Sequence, residues 1–77
     1  MVNRDNTVRV GSWVGVHDGE LRETWRIVAT HDADARRRLI SEDTPLALAL
    51  LGHAAGEVVR VRCPEGRARS VTILDVS

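Results

Sequence analysis

Asp32 and Asp34 stand two positions apart and offer a carboxylate pair, the arrangement used for acid–base work or for holding a divalent ion. No third ligand and no paired base accompany them in HDADARRR, so the pair reads as part of a polar connection. Arg36, Arg37 and Arg38 could grip phosphate. The acids just upstream balance them, and a short basic run in a neutral chain reads as a solvated loop. His17, His31 and His53 are widely separated and lack the Cys or His spacing of a zinc site. Cys63, the only cysteine, ends a strand pattern with no base beside it. Nothing marks a nucleophile elbow or an oxyanion loop. No catalytic residue, cofactor or metal is therefore expected. Glu42 and Asp43 are the remaining candidates, two acids placed just before a helix with no evident internal partner. Acids there complement the helix dipole by about 0.3–1 kcal/mol.

Composition narrows the classes further. A chain of 77 residues allows one domain and one modest core. Eleven acidic residues balance eleven basic ones, all arginine, so no net field recruits nucleic acid or an anionic membrane. No apolar run approaches the roughly 18–20 residues of a membrane span. One cysteine fits a reducing compartment, and a cytoplasmic location is expected. The only aromatics are Trp13 and Trp25, too few for a base-stacking platform or a ligand cage.

The elements that must position these residues are organised around Ser41–Gly56. Thr44 suits a helix N-cap, Pro45 suits the first helical position, and Gly52 suits a left-handed C-terminal cap. The helix between them spans about eight residues, too short to hold in water by itself. Its wheel puts Leu46, Ala49 and Leu50 on one face, with Leu48 almost opposite Leu46. Strand patterns surround it. Ser12–His17 alternates with Val14 and Val16 on one face, and Asp18-Gly19 signals a hairpin whose loop exceeds two residues. Glu23–Thr30 is rich in strand formers, and Leu39-Ile40 leaves room for one short strand. Glu57–Cys63 alternates with Val59 and Val61 inward, and Pro64–Gly66 reads as a hairpin turn. In Arg67–Val76, Val71 and Ile73 are in phase while Val76 is not, which predicts a twist or bulge late in that strand. The fold class is α+β, a twisted antiparallel sheet of four to five strands wrapped around one short helix. The expected core is Val14, Val16, Ile27, Leu46, Leu50, Val59, Val61 and Ile73.

The order of these motifs resembles the C-terminal domain of the GreA/GreB transcript-cleavage factors. The resemblance rests on Gly11-Ser12-x-Val14-x-Val16, Trp25-x-Ile27-Val28, Asp32-Ala33-Asp34, Ile40-Ser41-x-x-Thr44-Pro45-Leu46 and Ala49-Leu50-Leu51-Gly52. Gly56-Glu57-x-Val59-x-Val61, Pro64-x-Gly66 and Ile73 complete it, so that it covers Gly11–Val76. It implies an FKBP-like fold for residues 11–77, with residues 1–10 as a disordered or lead-in segment. It also implies a bacterial domain that docks on RNA polymerase at the rim of the secondary channel and modulates transcription elongation. Cleavage in that family depends on a separate coiled coil with an acidic tip. With ten residues before Gly11, none is expected here, and neither is cleavage activity. The docking motif maps onto Ser41, Glu42, Asp43, Thr44, Pro45 and Leu46. Leu48 joins them as an added apolar contact, since the family carries a polar or basic residue there.

Two alternative functions compete with this one. An FKBP-like fold suggests a peptidyl-prolyl isomerase, but that activity needs an aromatic-lined pocket that two tryptophans can hardly build. A dimerising domain using the Leu48 face is the other. A monomer without specific nucleic-acid or membrane binding is the expectation.

Overall fold

The computed structural model describes residues 7–63 and 66–77. Five strands lie among the described residues: β1 (Trp13–His17), β2 (Arg22–Val28), β3 (Leu39–Ser41), β4 (Val58–Arg62) and β5 (Ala68–Val76). They form one curled sheet in the order β3-β2-β1-β5-β4, and α1 (Pro45–Leu50), the one α-helix among the described residues, lies between β3 and β4 in sequence. The chain is therefore α+β, as expected.

The β1–β2 hairpin closes through Asp18. Its Oδ1 accepts the amides of Glu20 and Leu21 at 2.9 and 2.8 Å, while Gly19 takes a φ of +100° that a side chain would strain. The loop is longer than two residues, as the pattern required. On its other side β1 pairs with β5, where Val16 faces Ile73 but Gly15 faces Asp75. Leu74 is the extra residue, and this bulge is what lets Ile73 and Val76 both reach the core side. Gly15 allows the close approach, because a Cβ there would lie 2.7 Å from the Asp75 carboxylate.

The sheet is antiparallel except at β3, which runs parallel to β2 with Ile27 opposite Ile40 and Val28 opposite Ser41. This corrects the wholly antiparallel expectation. Residues 29–38 fold into two 3-10 turns, Thr30–Asp32 and Ala35–Arg37, and carry the chain back to the level of Arg26, where β3 starts. A parallel pair needs such a crossover, and a polar connection gives no sequence sign of its direction. Arg38 closes it with a φ of +62°, its carbonyl accepting the Arg26 amide at 2.8 Å and its guanidinium 4.9 Å above the Trp25 ring.

Helix α1 starts as predicted. Thr44 Oγ1 accepts the Ala47 amide at 3.2 Å and Pro45 occupies the first turn. It is six residues long, shorter than expected, because Leu51 already leaves helical geometry before Gly52 turns at φ +84°. Its buried face is also rotated from the wheel, with Ala47 and Leu50 fully buried and Leu46 and Ala49 only partly. Ala47 is small enough for the helix to lie close on the sheet. Leu48 points outward, 62% exposed.

The core comprises Val8, Val14, Val16, Ile27, Ala47, Leu50, Val59, Val61, Val71 and Ile73. Leu46, expected among them, packs at its margin. Val8 belongs to the lead-in by sequence, yet its amide donates to the His53 carbonyl at 2.8 Å and its carbonyl accepts from Gly52 at 2.9 Å. No alternating pattern marks that contact, since it depends on where the turn after α1 comes to rest. The predicted Pro64–Gly66 turn lies outside the described residues at Pro64 and Glu65. Cys63 and Arg67 flank it, joined by an N–H···O bond of 2.8 Å.

Two loop carboxylates are held in their charged form by hydrogen bonds. The Glu57 carboxylate accepts from His53 Nδ1 at 3.0 Å and from the Ala54 amide at 2.5 Å, which holds its pKa below the usual 4.5. The Leu21 and Glu20 amides, in that order, hold Asp18 below 3.8. A carboxyl whose folded pKa is depressed adds stability above its unfolded pKa and loses it as pH falls through the folded one. The melting temperature should therefore fall as pH drops below about 4.5. Asp18→Asn with Glu57→Gln should flatten that fall; melting curves with the same acid slope in both proteins would contradict the assignment.

Candidate partner-binding edge

The segment between β3 and α1 is locked by a closed ring of hydrogen bonds. The Asp43 amide donates to Ser41 Oγ at 3.2 Å, and Ser41 and Thr30 hydroxyls meet at 2.9 Å. Thr30 Oγ1 donates to the Asp43 carboxylate at 2.5 Å. Thr30 spends its proton on Asp43, so Ser41 must donate to Thr30, and each donor in the ring is satisfied. Around it, the Glu42 amide donates to the Val28 carbonyl at 2.8 Å, and the Ser41 carbonyl accepts both the Thr44 amide and the Thr44 hydroxyl. No side-chain polar atom buried among the described residues lacks a partner.

This geometry divides the predicted site residues into two sets. Ser41 is buried, and Thr44 and Leu46 are half-buried; they hold the edge from behind. Pro45 and Leu48 are exposed, and Glu42 is half-buried with no side-chain ion pair or hydrogen bond among the described residues. Asp43 is exposed but not free, contrary to the expectation that both acids lacked an internal partner. The parallel register explains this, since Val28 opposite Ser41 brings Thr30 alongside Asp43.

The other candidates resolve into local structure. Asp34 Oδ1 accepts the Arg36 amide at 3.1 Å and caps the second 3-10 turn, while Asp32 lies 3.4 Å from exposed His31. His17 Nδ1 accepts the Gly19 amide at 3.0 Å. No three His, Cys, Asp or Glu side chains among the described residues are placed to hold a metal. Both tryptophans are covered by arginines, Trp13 by Arg26 at 5.8 Å and Trp25 by Arg38 at 4.9 Å. Trp25 Nε1 also donates to Glu23 at 2.7 Å.

One feature was missed from sequence. Beside the edge, Pro45, Leu48 and Ala49 of α1 and Arg60 and Arg62 of β4 line an open groove of about 420 Å³. Alternation in β4 placed both arginines outward, but only the packing of α1 against β4 brings them to the exposed leucine.

The family model described as "Transcription elongation factor, GreA/GreB, C-term" matches residues 3–77. GreA of Chloroflexus aurantiacus is 45% identical over 71 residues, covering 90% of this chain and 45% of that protein. GreA of Thermomicrobium roseum is 45% identical over 62 residues, covering 79% and 39%. Among solved structures, Thermus aquaticus Gfh1 superposes with a TM-score of 0.76 at 26% identity, over 90% of this chain and 46% of that one. The GreA/GreB elongation factor from Nitrosomonas europaea gives 0.74 at 27% identity, over 94% and 61%. This chain spans less than half the length of these two GreA proteins. With that family model matching nearly the whole sequence, the chain belongs to the GreA/GreB transcription elongation factor C-terminal domain family.

Proposed function

We propose that this domain is a docking module for RNA polymerase, seated near the rim of the secondary channel through the edge Ser41–Leu46 and Leu48. One observation carries the reading: the Thr30–Ser41–Asp43 ring and the Thr44 cap hold Glu42, Pro45 and Leu48 in a preformed shape. A surface already ordered loses little conformational entropy on binding. Family membership supports the choice of polymerase as partner. The domain acts in the cytoplasm as a monomer and modulates elongation without cleaving RNA itself. No helix among the described residues is long and apolar enough to cross a membrane.

Glu42→Arg with Pro45→Ala is the direct test, because neither side chain belongs to the ring. Binding to core RNA polymerase should weaken about tenfold or more, as loss of a central contact does, with the melting curve largely unchanged. Asp43→Ala should instead lower both the affinity and the melting temperature. The docking assignment fails if the wild-type protein does not bind polymerase, or if the double variant folds and binds as before. In a backtracked elongation complex the protein should release no cleavage product; cleavage that survives its repurification would remove the non-catalytic part of the reading.

A further inference from the structure

The groove beside the edge has a chemistry of its own. Strand β4 is the last in the sheet, so one of its long sides has no strand partner among the described residues. Val58, Arg60 and Arg62 leave it on the side opposite buried Val59 and Val61. Alternate residues of a strand repeat at roughly 6.5 Å, so the two guanidinium groups can serve two neighbouring carboxylates. Neither arginine forms a hydrogen bond, ion pair or ring contact among the described residues, whereas Arg69 pairs with Asp18 and Arg26 and Arg38 cover the tryptophans. Pro45, Leu48 and Ala49 of α1 supply the apolar lining of the same groove. The groove is thus an open apolar strip walled on one side by two unneutralised cations.

We propose that this groove receives an acidic protein segment, which sets its carboxylates on Arg60 and Arg62 and an apolar side chain against Leu48. The identity of that protein rests on the polymerase reading; the groove's preference for such a segment does not. A carboxylate-bearing peptide suits the site better than nucleic acid for two reasons. A phosphate backbone would pair with the arginines but leave Leu48, 62% exposed, uncovered. Bases would find no ring to stack on within the groove, whose lining residues include no aromatic side chain.

The test is an NMR titration of the labelled chain with a capped peptide alternating glutamate and leucine, beside the same peptide with lysine for glutamate. The glutamate peptide should shift the amides of Leu48, Ala49, Arg60 and Arg62, and the lysine peptide should not. Arg60→Glu with Arg62→Glu should weaken that binding about tenfold, and Leu48→Ser by roughly three- to tenfold. Arg60→Gln with Arg62→Gln gives the same answer without charge reversal, and melting curves verify that each variant folds. Equal binding of the two peptides, indifference to the arginine changes, or equal displacement of the peptide by a single-stranded oligonucleotide would overturn the proposal. So would sedimentation showing a dimer that the arginine changes dissolve, since a second copy would then fill the groove. The polymerase assay separates the two readings. Peptide binding without polymerase binding removes only the choice of partner, and polymerase binding that ignores the arginine changes, with no peptide binding, removes only the groove.

Discussion

Leu50→Ala should destabilise the domain by about 2–5 kcal/mol, the range for deleting a buried leucine side chain. Leu50 is wholly buried, in a core cluster with Val8, Ile27, Val59 and Ile73. A six-residue helix cannot rearrange to close the gap without losing its hold on the sheet. At this chain length each kcal/mol shifts the melting temperature by roughly 4–8 °C, so the loss is easily read. Leu48→Ala, two positions away, should shift stability by well under about 1 kcal/mol, because its side chain stands in solvent. Equal losses in a denaturant melt would mean that the helix is rotated from the position described.

Ala47→Leu is the opposite perturbation and should be nearly as severe. Ala47 is also completely buried, and its methyl group sets how closely α1 approaches the sheet. A leucine there must push the helix outward or force strained rotamers, at a cost of about 1–3 kcal/mol. The same displacement would disturb the Thr44 cap and the ring behind Asp43, so under the docking proposal polymerase affinity should fall together with stability. Ala49→Leu should be nearly neutral for folding, since Ala49 is only partly buried and borders the open groove. Denaturant melts of the two variants decide between the wheel drawn from sequence and the face observed. Greater damage from Ala49→Leu would restore the wheel.

The hairpin, the bulge and the helix start were legible because each depends on neighbours in the chain. Asp18-Gly19 closes its own loop, and Thr44-Pro45 caps its own helix. The phase break between Ile73 and Val76 records a bulge within a single strand. The Thr30–Asp43 bond was not legible, because it joins residues that only a parallel register brings together. The same holds for Val8, whose place in the core depends on the turn after α1.

The sequence by itself determined the α+β class, the outward position of Leu48 and the alternation that buries Val14, Val16, Val59 and Val61. It also carried the motif order that marks the family. These follow from local periodicity and from caps that act within a few residues. Tertiary structure alone decided the direction of β3, the choice of Ala47 over Ala49 as the buried alanine, and the engagement of Asp43. It also decided that Arg60 and Arg62 would border an exposed leucine. Each of these depends on how one element lies on another. Local pattern gives every element its faces, but only packing determines what those faces meet.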